Sequence, residues 1–230
     1  MIRIHAGLAA AGLALTLASS LAQEPPARFD LQVRADMFAG FLDGDEEAFE
    51  RAIALCERRL AANPDDPEPL VWHGAGLMFR AGRAFAAGGR EQGIAFDRQG
   101  FDEMNRAVAL APDSVAVLIL RGAMLLATAK SMPAGARARE YIRIAMGDFE
   151  KALQHQQPFF AKLSTHGRGE MLGALADGWA RLDDGEKSRA YLGRLVAELP
   201  DSKYAVAARA RLDNPADRRP LTCLGCHRSE

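Results

Sequence analysis

Phe49-Glu50-Arg51-Ala52-Ile53-Ala54-Leu55-Cys56-Glu57-Arg58-Arg59-Leu60-Ala61-Ala62-Asn63-Pro64 is the stretch that decides the fold. Phe49, Ala52, Ile53, Cys56 and Leu60 recur at steps of three and four, while Glu50, Arg51, Glu57 and Arg58 fall mostly on other faces. That is the pattern of an amphipathic α-helix. Asn63-Pro64-Asp65-Asp66 stops it, because proline cannot continue the helical hydrogen-bond ladder.

The same grammar repeats outward. Val33 to Leu42 forms an apolar segment before it, broken by Gly44-Asp45, and a further helix is expected from Pro67 to about Arg80, around Trp72, Leu77 and Met78. The apolar residues are mainly Ala and Leu, with few β-branched or aromatic residues, which favours helices over strands. Four units emerge. The first has Gly40, Ala52 and Pro64; the second Gly74, Met104, Ala107 and Pro112. The third has Gly122, Ala145, Phe149, Ala152 and Pro158; the fourth Leu172, Ala176, Leu192, Leu195 and Pro200. A last helix from Ser202 to Leu212, with Tyr204, Ala205 and Ala208 on one side, has the character of a cap.

These units resemble tetratricopeptide repeats, in which a small residue on each helix lets the pair approach closely and a proline closes the unit. The resemblance covers residues 33–212. It implies an all-α, right-handed solenoid of helical hairpins and a protein partner bound through the repeats. The closing prolines are 48, 46 and 42 residues apart, against about 34 in the family. The middle units therefore carry extra residues, at Gly82 to Gly100 and around Ser131-Met132-Pro133-Ala134-Gly135, as longer helices or projecting loops. Val115 to Ala129 is apolar almost all round but interrupted by Arg121 and short for a membrane span. It is expected to be the central buried helix.

The two ends of the chain carry different signals. Residues 1–22 have the three parts of a secretory signal peptide: Arg3, the apolar run Ala6 to Ala18, and the small-x-small sequence Ser20-Leu21-Ala22. Cleavage after Ala22 and a periplasmic or secreted location are expected, with residues 23–32 as a linker. About 208 of the 230 residues would remain, enough for one domain or one array. The formal charge is −1, which argues against nucleic acid as a partner.

Near the other end, in a tail spanning residues 213–230, stands Cys223-Leu224-Gly225-Cys226-His227. This C-x-x-C-H pattern matches covalent attachment of a c-type haem. Two thiols at that spacing can each add to a haem vinyl group, and the adjoining imidazole can take the iron as proximal ligand. The chain has only three cysteines and five histidines, so the coincidence is uncommon by composition. One covalent haem c on Cys223 and Cys226, with His227 on the iron, is the expectation. Rival readings are a Cys223–Cys226 disulfide, which export permits; zinc, for which the remaining ligands of a structural site are not supplied nearby; and a thioredoxin-like pair, which needs a βαβ context.

The small soluble cytochrome c domain begins with its motif, so with the motif placed here that fold is not expected. Helix-bundle cytochromes of the c-prime type resemble this chain in that placement alone. No distal ligand is assigned. His73, His155 and His166 read as structural or surface residues, and Met104 and Met146 as core. Arg218 and Arg219 stand close enough in sequence to meet haem propionates. Arg137, Arg139, Arg143, Arg209 and Arg211 read as solvated helix surface, and Cys56 as a buried small hydrophobe. No nucleophile elbow, zinc-protease motif or acid/base pair is present. Electron transfer or haem-dependent docking is therefore expected, rather than catalysis. A haem-free interaction scaffold is the alternative, and a haem peroxidase ranks third.

Overall fold

A computed structural model describes residues 28–217 and 219–221. Among them the chain is helical throughout its regular elements, with no strand. In order these are α1 (Phe29–Phe38), α2 (Glu46–Ala62), α3 (Pro67–Ala86), α4 (Arg90–Leu110), α5 (Val115–Ser131), α6 (Ala136–Gln156), α7 (Thr165–Arg181), α8 (Gly185–Glu198) and α9 (Lys203–Asp213). A π-helical turn, Ala39–Asp43, follows α1, and a 3-10 turn, Gln157–Lys162, follows α6. The signal-peptide stretch 1–22, Arg218 and the C-x-x-C-H motif lie outside the described residues.

The starts and stops are chemical. The side chains of Asp45, Ser114, Ser164, Asp184 and Ser202 accept hydrogen bonds from the third amide of α2, α5, α7, α8 and α9, satisfying donors that the helix leaves open. At the other ends, Asn63, Ala111, Gln157 and Leu199 are the C-caps of α2, α4, α6 and α8. Each is followed at once by one of the prolines 64, 112, 158 and 200, so all four expected punctuation marks fall one residue past a C-cap. Gly44, with φ 73°, turns the chain into α2 in the left-handed region that glycine tolerates.

Consecutive helices pair as hairpins: α1 with α2, α3 with α4, α5 with α6, and α7 with α8. The hairpins stack through α2 on α3, α3 on α5, and α6 on α7, and α9 closes the array against α8. The all-α, capped-hairpin reading is thus the observed architecture. Two boundaries differ. Residues 29–32 belong to α1 rather than to a linker, because Phe29, Val33 and Met37 form one buried stripe on that helix. The extra residues of the second unit do not project as a loop. They lengthen α3 and α4 to 20 and 21 residues, joined by the turn at residues 87–89.

The stretch buried all round is the first half of α3, not α5. Every residue from Pro69 to Met78 is buried, whereas Ala116 and Ala123 on α5 face solvent. The reason is close approach. A β-carbon on Gly74 would lie 2.7 Å from the carbonyl oxygen of Gly100, and one on Gly100 would lie 2.6 Å from that of Gly74. Two helix backbones touch there, and Met104 closes over the crossing. Around this helix, Trp72, Phe38, Phe41, Phe49 and Phe79 form a chain of edge-on and tilted ring contacts. One ion pair sits inside the stack: Arg121 on α5 donates to Asp148 on α6 at 2.6 and 2.8 Å and to Asn105 on α4 at 2.9 Å.

Candidate functional site: the docked connector

After α9 the chain turns at residues 214–217, held by Asn214, whose Oδ1 accepts from the amide of Ala216 at 3.1 Å. It then runs back along the array. Leu221 is buried, only 3% exposed. Its carbonyl oxygen lies too close to Gly173 of α7 to leave room for a β-carbon there. Any larger residue at 173 would meet backbone, not a movable side chain. Arg211 of α9 secures the same segment: Nη2 donates to the carbonyl of Arg219 at 2.8 Å and Nη1 to Asp177 of α7 at 3.2 Å. Its side chain is 11% exposed, so the expectation of a solvated Arg211 is corrected. It clamps the connector to the last hairpin.

Leu221 is two residues before Cys223 in the sequence. The segment leading to the C-x-x-C-H motif is thus seated on α7 and α9. Beside it lies an open cleft of about 460 Å³, lined by Val206, Arg209, Ala210, Asp213, Asp217 and Arg219 among others. Val206 and Ala210 are one helical turn apart and give an apolar strip; Arg209 and Arg219 bring cations. Arg219 is held by Asp217 at 3.2 Å and Arg209 by the carbonyl of Pro200 at 3.0 Å.

The histidines separate clearly. His73 is buried on α3, with Nδ1 2.6 Å from Glu103 and Nε2 3.9 Å from Glu57, so it ties α2, α3 and α4 together. His155 shares Asp113 with Lys151, at 3.3 and 2.9 Å, where burial is slight. His166 stands in the first turn of α7, bonded through Nδ1 to the hydroxyl of Tyr204 on α9 at 2.9 Å. Tyr204 in turn donates to Glu170 at 2.8 Å, and its ring packs on Gly169. Burial and the Glu170 carboxylate hold this phenol above the ordinary tyrosine value. Met104 and Met146 are fully buried against Gly74 and Gly178, as core residues. Cys56 is buried, and burial pushes its thiol up to about 12. Arg137 and Arg139 are more than solvated surface: Arg137 lies over the rings of Phe101 and Tyr141 and reaches Asp97, and Arg139 donates to Asp183.

Sequence reading missed the Gly173–Leu221 seat and the Arg211 clamp. The signal available was the pair Gly169 and Gly173, one turn apart on a helix otherwise rich in Ala and Leu. Such a pair leaves a shallow slot that another segment can fill. Among the described residues no group of three or more His, Cys, Asp and Glu is arranged to hold a metal ion, and no helix is long and apolar enough to cross a membrane.

By its architecture, then, the chain is an all-helical array of stacked hairpins with a connector docked on its last unit. No protein-family model matches it, and no curated protein matches it. Among solved structures it is similar to a monomeric mutant of IFIT1 with Gppp-AAAA, at 14% identity and a TM-score of 0.38. The match covers 80% of this chain and 55% of the other, so the chain spans little more than half the length of that structure. A likeness that loose carries no argument about function.

Proposed function

We propose that this is an exported, periplasmic c-type haem protein in which a tetratricopeptide-like array engages a protein partner and a C-terminal haem transfers electrons or governs the docking. The observation that carries the reading is the C-x-x-C-H motif, Cys223 to His227, next to a connector seated on the array. Cys223 and Cys226 would hold the haem through thioether bonds and His227 would be its proximal ligand. Bound in this way, the haem supplies one-electron chemistry at its iron.

The cleft beside the connector offers a short apolar strip and two arginines, which stand among Asp213, Asn214 and Asp217. Val206 and Ala210 can cover part of an apolar ring edge, while Arg209 and Arg219 match its carboxylates in charge. Leu221, Gly173 and Arg211 hold residues 219–221, just ahead of the motif in the sequence, against α7 and α9. The signal-peptide pattern of residues 1–22 supplies the compartment in which covalent haem attachment occurs.

The test is production of the full chain in a host with c-type haem maturation, followed by a haem-stained denaturing gel and a reduced pyridine spectrum. Haem that survives denaturation, and is lost in the Cys223→Ala, Cys226→Ala double variant, is the expected result. Exported protein without covalent haem in that host would overturn the reading in favour of a scaffold whose two cysteines form a disulfide or a thiol pair.

A further inference from the structure

We infer that the face of Trp179, with Glu150 and Tyr191 behind it, is a seat for an alkylated ammonium group, held in the free protein by the side chain of Lys187. The seat uses no residue of the connector and stands whether or not haem is attached to the chain.

Three helices build it. Glu150 comes from α6, Trp179 from the last turn of α7, and Lys187 and Tyr191 from α8, one turn apart. A single carboxylate oxygen, Glu150 Oε1, accepts from the indole N–H of Trp179 at 3.1 Å and from the Tyr191 hydroxyl at 3.4 Å. These bonds fix the indole by its edge and leave its face for another group. The Lys187 ammonium takes that face: Nζ lies 3.6 Å from the ring centroid and 3.8 Å from the same Glu150 oxygen. Other cations sit farther from their rings, such as Arg137, 4.8 Å from the centre of Tyr141. Burial and the Glu150 carboxylate hold the Tyr191 phenol above its ordinary value, so it remains a donor.

The way the ammonium is held says what else fits. At 3.8 Å from Glu150 it is beyond hydrogen-bond distance. Charge and the aromatic face hold it there, and its N–H protons are not used on that side. A nitrogen carrying methyl groups in place of protons meets the same attraction. It also leaves water more readily, because a lysine ammonium is compact and strongly hydrated. Aromatic faces are the general means of recognising quaternary ammonium groups.

Lys187 can give up its place. Its side chain is 48% exposed, while its backbone amide is pinned by the Asp184 cap at 3.0 Å. It is the third residue of α8, at the helix end whose dipole disfavours a cation. The ring and the carboxylate, not the helix, therefore hold the ammonium. The ligand class is a trimethylammonium group, free or as the headgroup of a choline lipid.

The test uses the full exported chain, isotope-labelled at the tryptophan nitrogen. It has two indole signals, from Trp72 and Trp179, which Trp179→Phe assigns. Titration with tetramethylammonium chloride, against sodium chloride at equal ionic strength, is expected to shift the Trp179 signal saturably, with a dissociation constant on the order of 10 mM. The buried Trp72 signal should stay in place. Lys187→Gln removes the competitor and should tighten binding by about threefold to tenfold. Glu150→Gln should weaken it by a similar factor, with helix content by circular dichroism showing that both variants fold. Choline chloride and phosphatidylcholine vesicles then separate the two sources. A shift with choline alone points to a free ligand; sedimentation with phosphatidylcholine but not phosphatidylglycerol vesicles points to a headgroup. Absence of a saturable shift in wild type, even where Lys187→Gln responds, would overturn the seat and make Lys187 a fixed part of the fold. An equal shift with sodium chloride would overturn it as well.

Discussion

The backbone of Leu221 and the α-carbon of Gly173 share a space that a single methyl group would fill. Glycine at 173 is therefore a condition for docking the connector. In Gly173→Val the segment from residue 214 onward is expected to come away from α7. Limited proteolysis read by mass spectrometry should then show earlier cleavage in residues 214–221, while helix content by circular dichroism stays near wild type. Unchanged cleavage kinetics would argue against the seat.

Glycines inside the helices should divide by what a β-carbon would meet. At Gly74 and Gly100 it would meet the facing backbone, so either glycine replaced by alanine should destabilise the protein by about 1–3 kcal/mol. At Gly82 and Gly147 it would meet nothing within 4 Å. Alanine there should stabilise by about 0.5–1 kcal/mol, through the lower flexibility of the unfolded chain and better helix propensity. Urea midpoints of the four variants provide the check.

Arg121 and Asp148 give a pH signature. Burial raises the Asp148 carboxyl above its usual value even beside the guanidinium, so the folded chain holds that proton more tightly than the unfolded chain. Stability from this group is then greatest below the ordinary aspartate pKa and falls as pH rises through the window up to the folded value. Arg121→Met removes the partner and widens the window. The variant should lose about 3–5 kcal/mol near neutrality and recover part of it on acidification. Thermal midpoints of both proteins across the acidic range would reveal whether the difference between them narrows as expected.

Cys56 should be inert. Its thiol is inside the helix stack with the thiolate disfavoured by burial. In the Cys223→Ala, Cys226→Ala variant, a thiol reagent is expected to label nothing in native protein and one residue in denaturant. Prompt labelling of the native variant would contradict the packing around α2.

The parts of the fold that were legible in the sequence are those set by local chemistry. Capping Asp and Ser residues and the prolines that follow C-caps act within a few residues, so Asp45, Ser202, Pro64 and Pro200 could be read directly. What escaped was set by contact between distant segments. Val115 to Ala129 is the more apolar helix by composition, yet the first half of α3 is the stretch surrounded, because Gly74 and Gly100 let α4 close on it. Arg211 looks like any surface arginine until Asp177 and the Arg219 carbonyl are brought to it.

The sequential pairing of the helices has a kinetic consequence. Nearly every hairpin interface joins neighbours along the chain, so closing one costs little loop entropy and folding should be fast for a protein of this length. Nearest-neighbour coupling also means that opening begins at the ends and spreads inward. Amide exchange should therefore be slowest in the glycine crossing of α3 and α4. It should be faster in α9 and the connector, so that the end carrying the motif loosens at a small fraction of the free energy needed to open the centre.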